Sequence, residues 1–210
     1  MMKILFITII LISITGCANA GLIFNPADTI LKKDTLIKKQ EKSHSSNPET
    51  VLVFDDSKLA PQNVRMIFNE LFRQYITIKD ALVYSDPYNS KRNTLKLLED
   101  MRSKTKDIQL LKRDDRWTFF INNYDNIRSK VEAADFISQQ RFLFNEITNG
   151  IQNFIKQFGL YNKTIYLMKS TAESQYGNNE WLSDSKDEKN PYLGMINDTT
   201  YTKVIEAWKF

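Results

Sequence analysis

The chain has 210 residues, a formal net charge of +4 and a 12% aromatic content, which together indicate one globular domain with a real core. It contains one cysteine and one histidine, too few for Cys/His zinc sites or redox cysteine pairs. The histidine, His44, lies in a polar run with Ser43, Ser45 and Ser46, which favours a solvated linker over a Ser-His-Asp triad. We therefore expect no catalytic activity and no cofactor.

The first residues have the pattern of a secretion signal. A short positive start at Lys3 is followed by an apolar run over residues 4–14 and then by Thr15-Gly16-Cys17. This ending resembles the lipobox of bacterial lipoproteins, and the resemblance implies that Cys17 carries the lipid and becomes the new N-terminus. The alternative is an ordinary signal peptide with a chance cysteine. We predict a lipoprotein signal peptide over residues 1–16 and lipid attachment, including palmitate, at Cys17.

A lipid anchor would place the protein in the cell envelope, because several acyl chains hold a protein on a membrane almost permanently. Ala18 follows the cysteine and provides no acidic retention signal, so we expect the outer membrane, with the domain facing the periplasm or the surface. The expected partners are the membrane, through the anchor, and an envelope protein that the sequence does not name.

Residues 17–56 are predicted to form a flexible, lipid-anchored tether. Lysines cluster there, and the run at 43–48 is typical of disorder. Basic arms can bind nucleic acid, but a tether near anionic lipid headgroups suits an extracytoplasmic protein better, so no nucleic-acid partner is expected. The apolar residues 51–54 are the exception and predict a short strand or a strap on the domain, which we assign to residues 57–210.

The first half of this domain has helical periodicity. An apolar stripe over residues 64–82 predicts one helix. Asp86 as N-cap and Pro87 in the first turn predict the start of a second helix, whose stripe continues to about Leu111.

Two further helices are predicted beyond this point. One starts near Asp114 and continues to Val131, and the next is capped by Ser138 and stops at Gly159. Four amphipathic helices joined by short loops predict a mainly α fold, an antiparallel four-helix bundle.

The last fifty residues have a different pattern. Residues 164–168 and 201–208 look like strands, and Trp181-Leu182-Ser183 and a block at 190–195 lie between them. We predict a loop-rich C-terminal cap with a small β-hairpin that closes one end of the bundle.

Several of these segments, in this order, resemble domain-of-unknown-function family 3347. The resemblance extends over about residues 64–204. It is carried by Tyr75-Ile76-Thr77-Ile78-Lys79-Asp80-Ala81-Leu82-Val83 with Asp86, Arg141 with Phe144, Phe158-Gly159, Ile165-Tyr166, Trp181-Leu182-Ser183 and Asn190-Pro191-Tyr192-Leu193-Gly194-Met195. The resemblance implies a secreted or lipid-anchored protein. Some members are fused to periplasmic adaptor subunits of heavy-metal efflux pumps, which implies copper handling.

The chain departs from the family at the sulfur ligands. Family members usually carry Cys-Pro-Met-Ala where this chain has Lys169-Ser170-Thr171-Ala172, and Met-x-x-Cys-Gly where it has Met195-Ile196-Asn197-Asp198-Thr199. Thiolates and thioethers are the ligands that select Cu(I), and most of them are missing. Met195 remains as a weak metal candidate, with Met168 as a second thioether.

Three functional hypotheses follow. The leading one is a non-catalytic, lipid-anchored accessory protein of the envelope whose sulfur ligands have been lost. The second is a weak Cu(I) carrier that uses Met168 and Met195. The third is an enzyme with a carboxylate-based site that the sequence does not reveal.

Overall fold

The computed structural model describes residues 48–172, 175–176, 179–186, 189–194 and 202–210. These residues contain five α-helices: α1 (Gln62–Val83), α2 (Pro87–Thr105), α3 (Asp115–Asn122), α4 (Tyr124–Ala133) and α5 (Ile137–Phe158). They also contain four strands: β1 (Thr50–Val53), β2 (Thr164–Ser170), β3 (Glu180–Ser183) and β4 (Thr202–Lys209). None of the helices in the described part of the chain is long and apolar enough to cross a membrane.

Helices α1 and α2 form a hairpin whose turn has the predicted capping chemistry. The Asp86 carboxylate accepts a hydrogen bond from the Asn89 backbone N–H at 3.0 Å, and Pro87 occupies the first helical position. Ser85 lies in the turn with a φ of 53°, and this left-handed conformation helps to reverse the direction of the chain between the two helices. The second helix ends at Thr105, earlier than its apolar stripe suggested, and a 3-10 turn covers Leu111–Arg113.

The segment predicted as a single third helix is two helices. The first of them starts near Asp114 as predicted, and Asp114 caps it, since its carboxylate accepts from the backbone N–H groups of Arg116 and Trp117 at 3.0 and 3.1 Å. The helix stops at Asn123, whose side-chain amide donates to the Phe119 carbonyl at 2.8 Å and competes with helix continuation. The chain then turns into α4.

The fifth helix ends where the sequence predicts but begins differently. Gly159 follows it with a φ of 80°, and its N–H donates to the Ile155 carbonyl. The prediction that Ser138 caps this helix is wrong. The extended N-cap residue is Phe136, and the Gln139 side chain reaches back to accept from the Phe136 N–H at 3.1 Å.

The predicted hairpin is part of a larger mixed sheet with the strand order β1-β4-β2-β3. β2 lies antiparallel to both β3 and β4, and β1 lies parallel to β4 with Thr50 opposite Glu206. β1 comes from the apolar segment that the sequence predicts as a strand or strap. The mainly helical class is thus confirmed, whereas the arrangement as an antiparallel four-helix bundle is not.

A buried hydroxyl joins the helices to the sheet. The Tyr75 hydroxyl of α1 lies 2.9 Å from the Thr148 hydroxyl of α5 and accepts from the Leu182 N–H of β3 at 3.1 Å. The Tyr75 side chain is fully buried, and burial raises the pKa of its hydroxyl well above the usual value. The phenol therefore stays neutral and acts as a structural link.

Candidate functional site

Most residues that the sequence singled out as sites lie outside the described residues. These are Cys17, His44, Met195 and Asp198. Met168 is described, and its side chain is fully buried in the core, opposite Trp181 and Val204 of the neighbouring strands. The thioether of Met168 is therefore closed to solvent.

The Asn-Pro-Tyr block leads directly to Met195 and is built on local hydrogen bonds. The side-chain oxygen of Asn190 accepts from the Tyr192 N–H at 2.9 Å, and its backbone carbonyl accepts from the N–H groups of Leu193 and Gly194 at 3.3 Å. Gly194 has a φ of 74°, a left-handed conformation that favours glycine. The block is a compact turn whose shape depends on Asn190 and Gly194.

Arg141 of α5 fastens this turn to the α1–α2 hairpin. Its buried guanidinium donates to the carbonyls of Pro191 at 2.9 Å and Leu82 at 3.2 Å, and to the Ser85 hydroxyl at 3.2 Å. Gly194 packs directly against this cluster. A Cβ at position 194 would lie 2.6 Å from both the Arg141 Nη2 atom and the Ser85 hydroxyl oxygen. We call Asn190–Gly194 together with Arg141 the turn clamp.

The turn clamp also contacts the start of β3, which pairs with the end of β2. The Tyr192 hydroxyl donates to the Glu180 carbonyl at 3.0 Å, and burial raises its pKa well above the usual value. Glu180 lies opposite Lys169 on β2, and the Ser170 N–H donates to the Asn179 carbonyl at 2.9 Å. The end of β2, with Lys169 and Ser170, and the turn at 190–194 therefore converge on one end of the sheet.

At this end of the sheet, the ammonium, carboxylate and hydroxyl groups of Lys169, Glu180 and Ser170 already have partners. The Lys169 ammonium lies 3.0 Å from the Glu180 carboxylate, and the Ser170 hydroxyl bonds the backbone of Ala172 at 3.2 Å. An open, polar pocket of about 510 Å³ lies beside them, with a second ion pair, Lys203 to Glu49, at 2.9 Å. Within the described ranges, no three His, Cys, Asp or Glu side chains are grouped so that they could hold a metal ion.

A second concave feature, which the sequence analysis did not anticipate, lies among the helices. A groove of about 540 Å³ is bounded by α3, α4 and α5, with side chains of α2 also contributing. Its walls include Leu98, Phe119, Ile127, Ile147 and Ile151. We call it the α3–α5 groove.

The helix that forms one wall of the groove depends on an ionised cap. Burial alone would raise the pKa of the Asp114 carboxyl, but the Trp117 N–H and the Arg116 guanidinium, 2.9 Å away, outweigh burial and lower it. The carboxylate is therefore ionised at neutral pH, and its negative charge interacts favourably with the positive, N-terminal end of the α3 dipole.

The resemblance to a known family is confirmed over part of the chain. Residues 71–163 match the model of the family described as Protein of unknown function (DUF3347). This range runs from within α1 through α5 and stops just before β2, so it contains the α3–α5 groove and Arg141 but not residues 190–194. No curated protein and no solved structure gives a significant match to the chain.

Proposed function

We propose that this protein is a lipid-anchored accessory protein of the cell envelope, acting by binding and not by catalysis. The observation that carries the proposal is the convergence of residues 169–172 and the turn at 190–194 on one end of the sheet, where the described polar groups pair with one another. Residues 169–172 contain no thiolate and no thioether, so they offer no soft metal ligand, and Lys169 pairs with Glu180 and the Ser170 hydroxyl with the Ala172 backbone.

The anchor is proposed at Cys17 and rests on the lipobox resemblance. Lipid attachment at that position would leave residues 18–49 between the anchor and β1, the first strand of the described fold. An outer-membrane location, facing the periplasm or the surface, is part of the same proposal. So is an envelope protein as the partner, reached by a domain that is held at the membrane.

The experiment for the anchor is metabolic labelling with an alkyne analogue of palmitate in the source bacterium. We expect label on the full chain and none on the Cys17→Ser variant, which should also move from the membrane fraction to the soluble fraction. Label that persists on the Cys17→Ser variant, or a wild-type chain without label, would contradict the proposal. A Ser57→Ala variant, changed at an exposed position, serves as the matched control and should be labelled like the wild type.

The loss of the metal site is tested by a Cu(I) competition titration with a chromogenic chelator. The sample is the chain from residue 17 with Cys17→Ser, which contains every described residue without lipid. We expect no stoichiometric competition, and Met195→Leu and Met168→Leu should leave the titration unchanged. A stoichiometric site that disappears on Met195→Leu would instead support the weak Cu(I) carrier.

A further inference from the structure

The α3–α5 groove has the size and the walls of a small-molecule site. Ligand pockets are commonly about 300–1,000 Å³ and mostly apolar, and the groove measures about 540 Å³. Its walls are aliphatic and aromatic side chains from four helices, among them Met101, Phe120, Val131, Leu143 and Phe154. Phe119 on the wall is 66% exposed, which is a large apolar exposure for a single side chain.

A glycine in the middle of α5 enlarges the groove. Gly150 lies in a helix interior, where glycine is less favourable than alanine by about 1 kcal/mol. A Cβ built at this residue meets no atom within 4 Å, so neither close packing nor a special backbone angle requires glycine there. The missing side chain leaves a notch in the wall of the groove, which Gly150 lines.

The charges around the groove are at its rim and are nearly balanced. Lys130 carries a positive charge and Asp115 and Glu146 carry negative charges, and all three side chains are exposed to solvent. Arg116, also at the rim, is held by Asp114. Among the described residues that line the groove, no buried side-chain nitrogen or oxygen lacks a hydrogen-bond partner.

The apolar walls and the position of the charges at the rim determine which kind of molecule the groove can bind. A charged group inside the groove, away from the rim, would lose its hydration without gaining a partner from the apolar walls, which is strongly unfavourable. A hydrocarbon body would gain by leaving water, at roughly 25 cal/mol per Å² of buried apolar surface. The groove is therefore complementary to an uncharged aliphatic molecule.

We propose that the α3–α5 groove is a binding site for a neutral small molecule with an aliphatic chain, which inserts beside Gly150. The site goes beyond the proposed function, since it uses no residue of the turn clamp and does not depend on the lipid at Cys17. Rim amides at Asn123, Asn126 and Asn153 can bond an uncharged hydroxyl at the outer end of such a molecule.

The test is a fluorescence titration with N-phenyl-1-naphthylamine, a neutral apolar probe, on the chain from residue 17 with Cys17→Ser. We expect saturable binding to one site. Gly150→Trp should weaken binding at least about tenfold, because the indole occupies the notch, whereas Gly150→Ala should change it little. Probe that binds without saturation, or with equal affinity to Gly150→Trp, would overturn the proposal.

A second variant tests the same site in case the Gly150→Trp protein does not fold. Phe119→Lys changes an exposed side chain on the groove wall and should preserve the fold, which circular dichroism would verify. It should weaken probe binding severalfold, because it replaces an apolar wall by a charge. Unchanged binding by a folded Phe119→Lys protein would contradict the site.

The charge preference is tested by displacing the probe with three twelve-carbon molecules, the two ions below their critical micelle concentrations and the alcohol below its solubility limit. We expect 1-dodecanol to displace it at lower concentration than dodecanoate or dodecyltrimethylammonium. Equal or better displacement by either ion would overturn the neutral assignment. A dimer in sedimentation experiments that dissociates as probe is added would show that a second copy covers the groove, which would also overturn the proposal.

Discussion

The turn clamp and the α3–α5 groove both include residues of α5, but side chains are packed tightly in the first and leave open space in the second. In the turn clamp, a buried guanidinium satisfies two carbonyls and a hydroxyl, and Gly194 leaves no room for even one extra carbon. In the groove, apolar walls face open space, and Gly150 leaves room for a whole side chain. The Asn-Pro-Tyr block thus lies in the tightly packed turn clamp, whereas the α3–α5 groove, which is concave, is marked by no sequence motif.

The largest effect is expected from Gly194→Ala in the turn clamp. Its Cβ would clash with Arg141 and Ser85, and alanine is strained at a φ of 74°. We expect the free energy of unfolding to fall by about 3 kcal/mol, measured by denaturant titration.

The matched control is Gly150→Ala in the groove. Alanine there has open space and a better helix propensity, so the free energy of unfolding should rise by about 0.5–1 kcal/mol. Equal responses of the two glycine variants would remove the contrast between the two regions.

A somewhat smaller loss is expected from Arg141→Met. Methionine fills much of the same volume but leaves the Pro191 carbonyl and the Ser85 hydroxyl without their donor. We expect a loss of about 2–3 kcal/mol in the free energy of unfolding. Arg128→Met, at an exposed arginine paired with Glu132 on α4, should change it very little. Similar losses in both variants would argue against a special role for the turn clamp.

Among the destabilising changes offered as tests, the smallest loss is expected from Asp114→Ala at the start of α3. Loss of the N-cap should reduce the free energy of unfolding by about 1 kcal/mol at neutral pH. The pKa of Asp114 is lower in the folded protein than its unfolded value of about 3.9, so this contribution is complete above that pH. It is lost as the pH falls through the folded pKa.

Thermal unfolding between about pH 2 and 7 measures this dependence. The difference in melting temperature between wild type and Asp114→Ala should shrink as the pH falls below 4. A constant difference over this range would mean that the carboxylate charge does not contribute.

Local chemistry explains which parts of the fold were predictable. Asp86, Asp114 and Gly159 were predicted correctly as helix boundaries, because capping depends on a few adjacent residues. The break at Asn123 was missed, because the apolar stripe of Phe120, Tyr124 and Ile127 continues through it with helical spacing. The parallel pairing of β1 was beyond the sequence pattern, since its partner is at the far end of the chain.

The same reasoning applies to the sites. The sequence identified the block at 190–194, but its attachment to Arg141 depends on two segments distant in sequence. Met168 shows the limit of motif reasoning, because a thioether on a predicted strand gives no sign of being fully buried. The α3–α5 groove was missed because Leu98, Ile127 and Ile151 look like core residues, and only Gly150 inside α5 indicated missing volume. Lipid attachment at Cys17 and the loss of the metal site, with Met195 as the one weak candidate left, stay predictions.

The strand order has a consequence for when the protein can fold. β4, the last strand of the chain, lies between β1 and β2, and β1 is the first strand of the described fold. A chain that emerges from its N-terminus must therefore hold β1 without its partner until nearly all the other residues have appeared. Pairings between such distant segments close slowly. The helices can assemble before the last strand has been made, but the sheet can close only afterwards, and an exposed β1 edge must be kept from other chains until then.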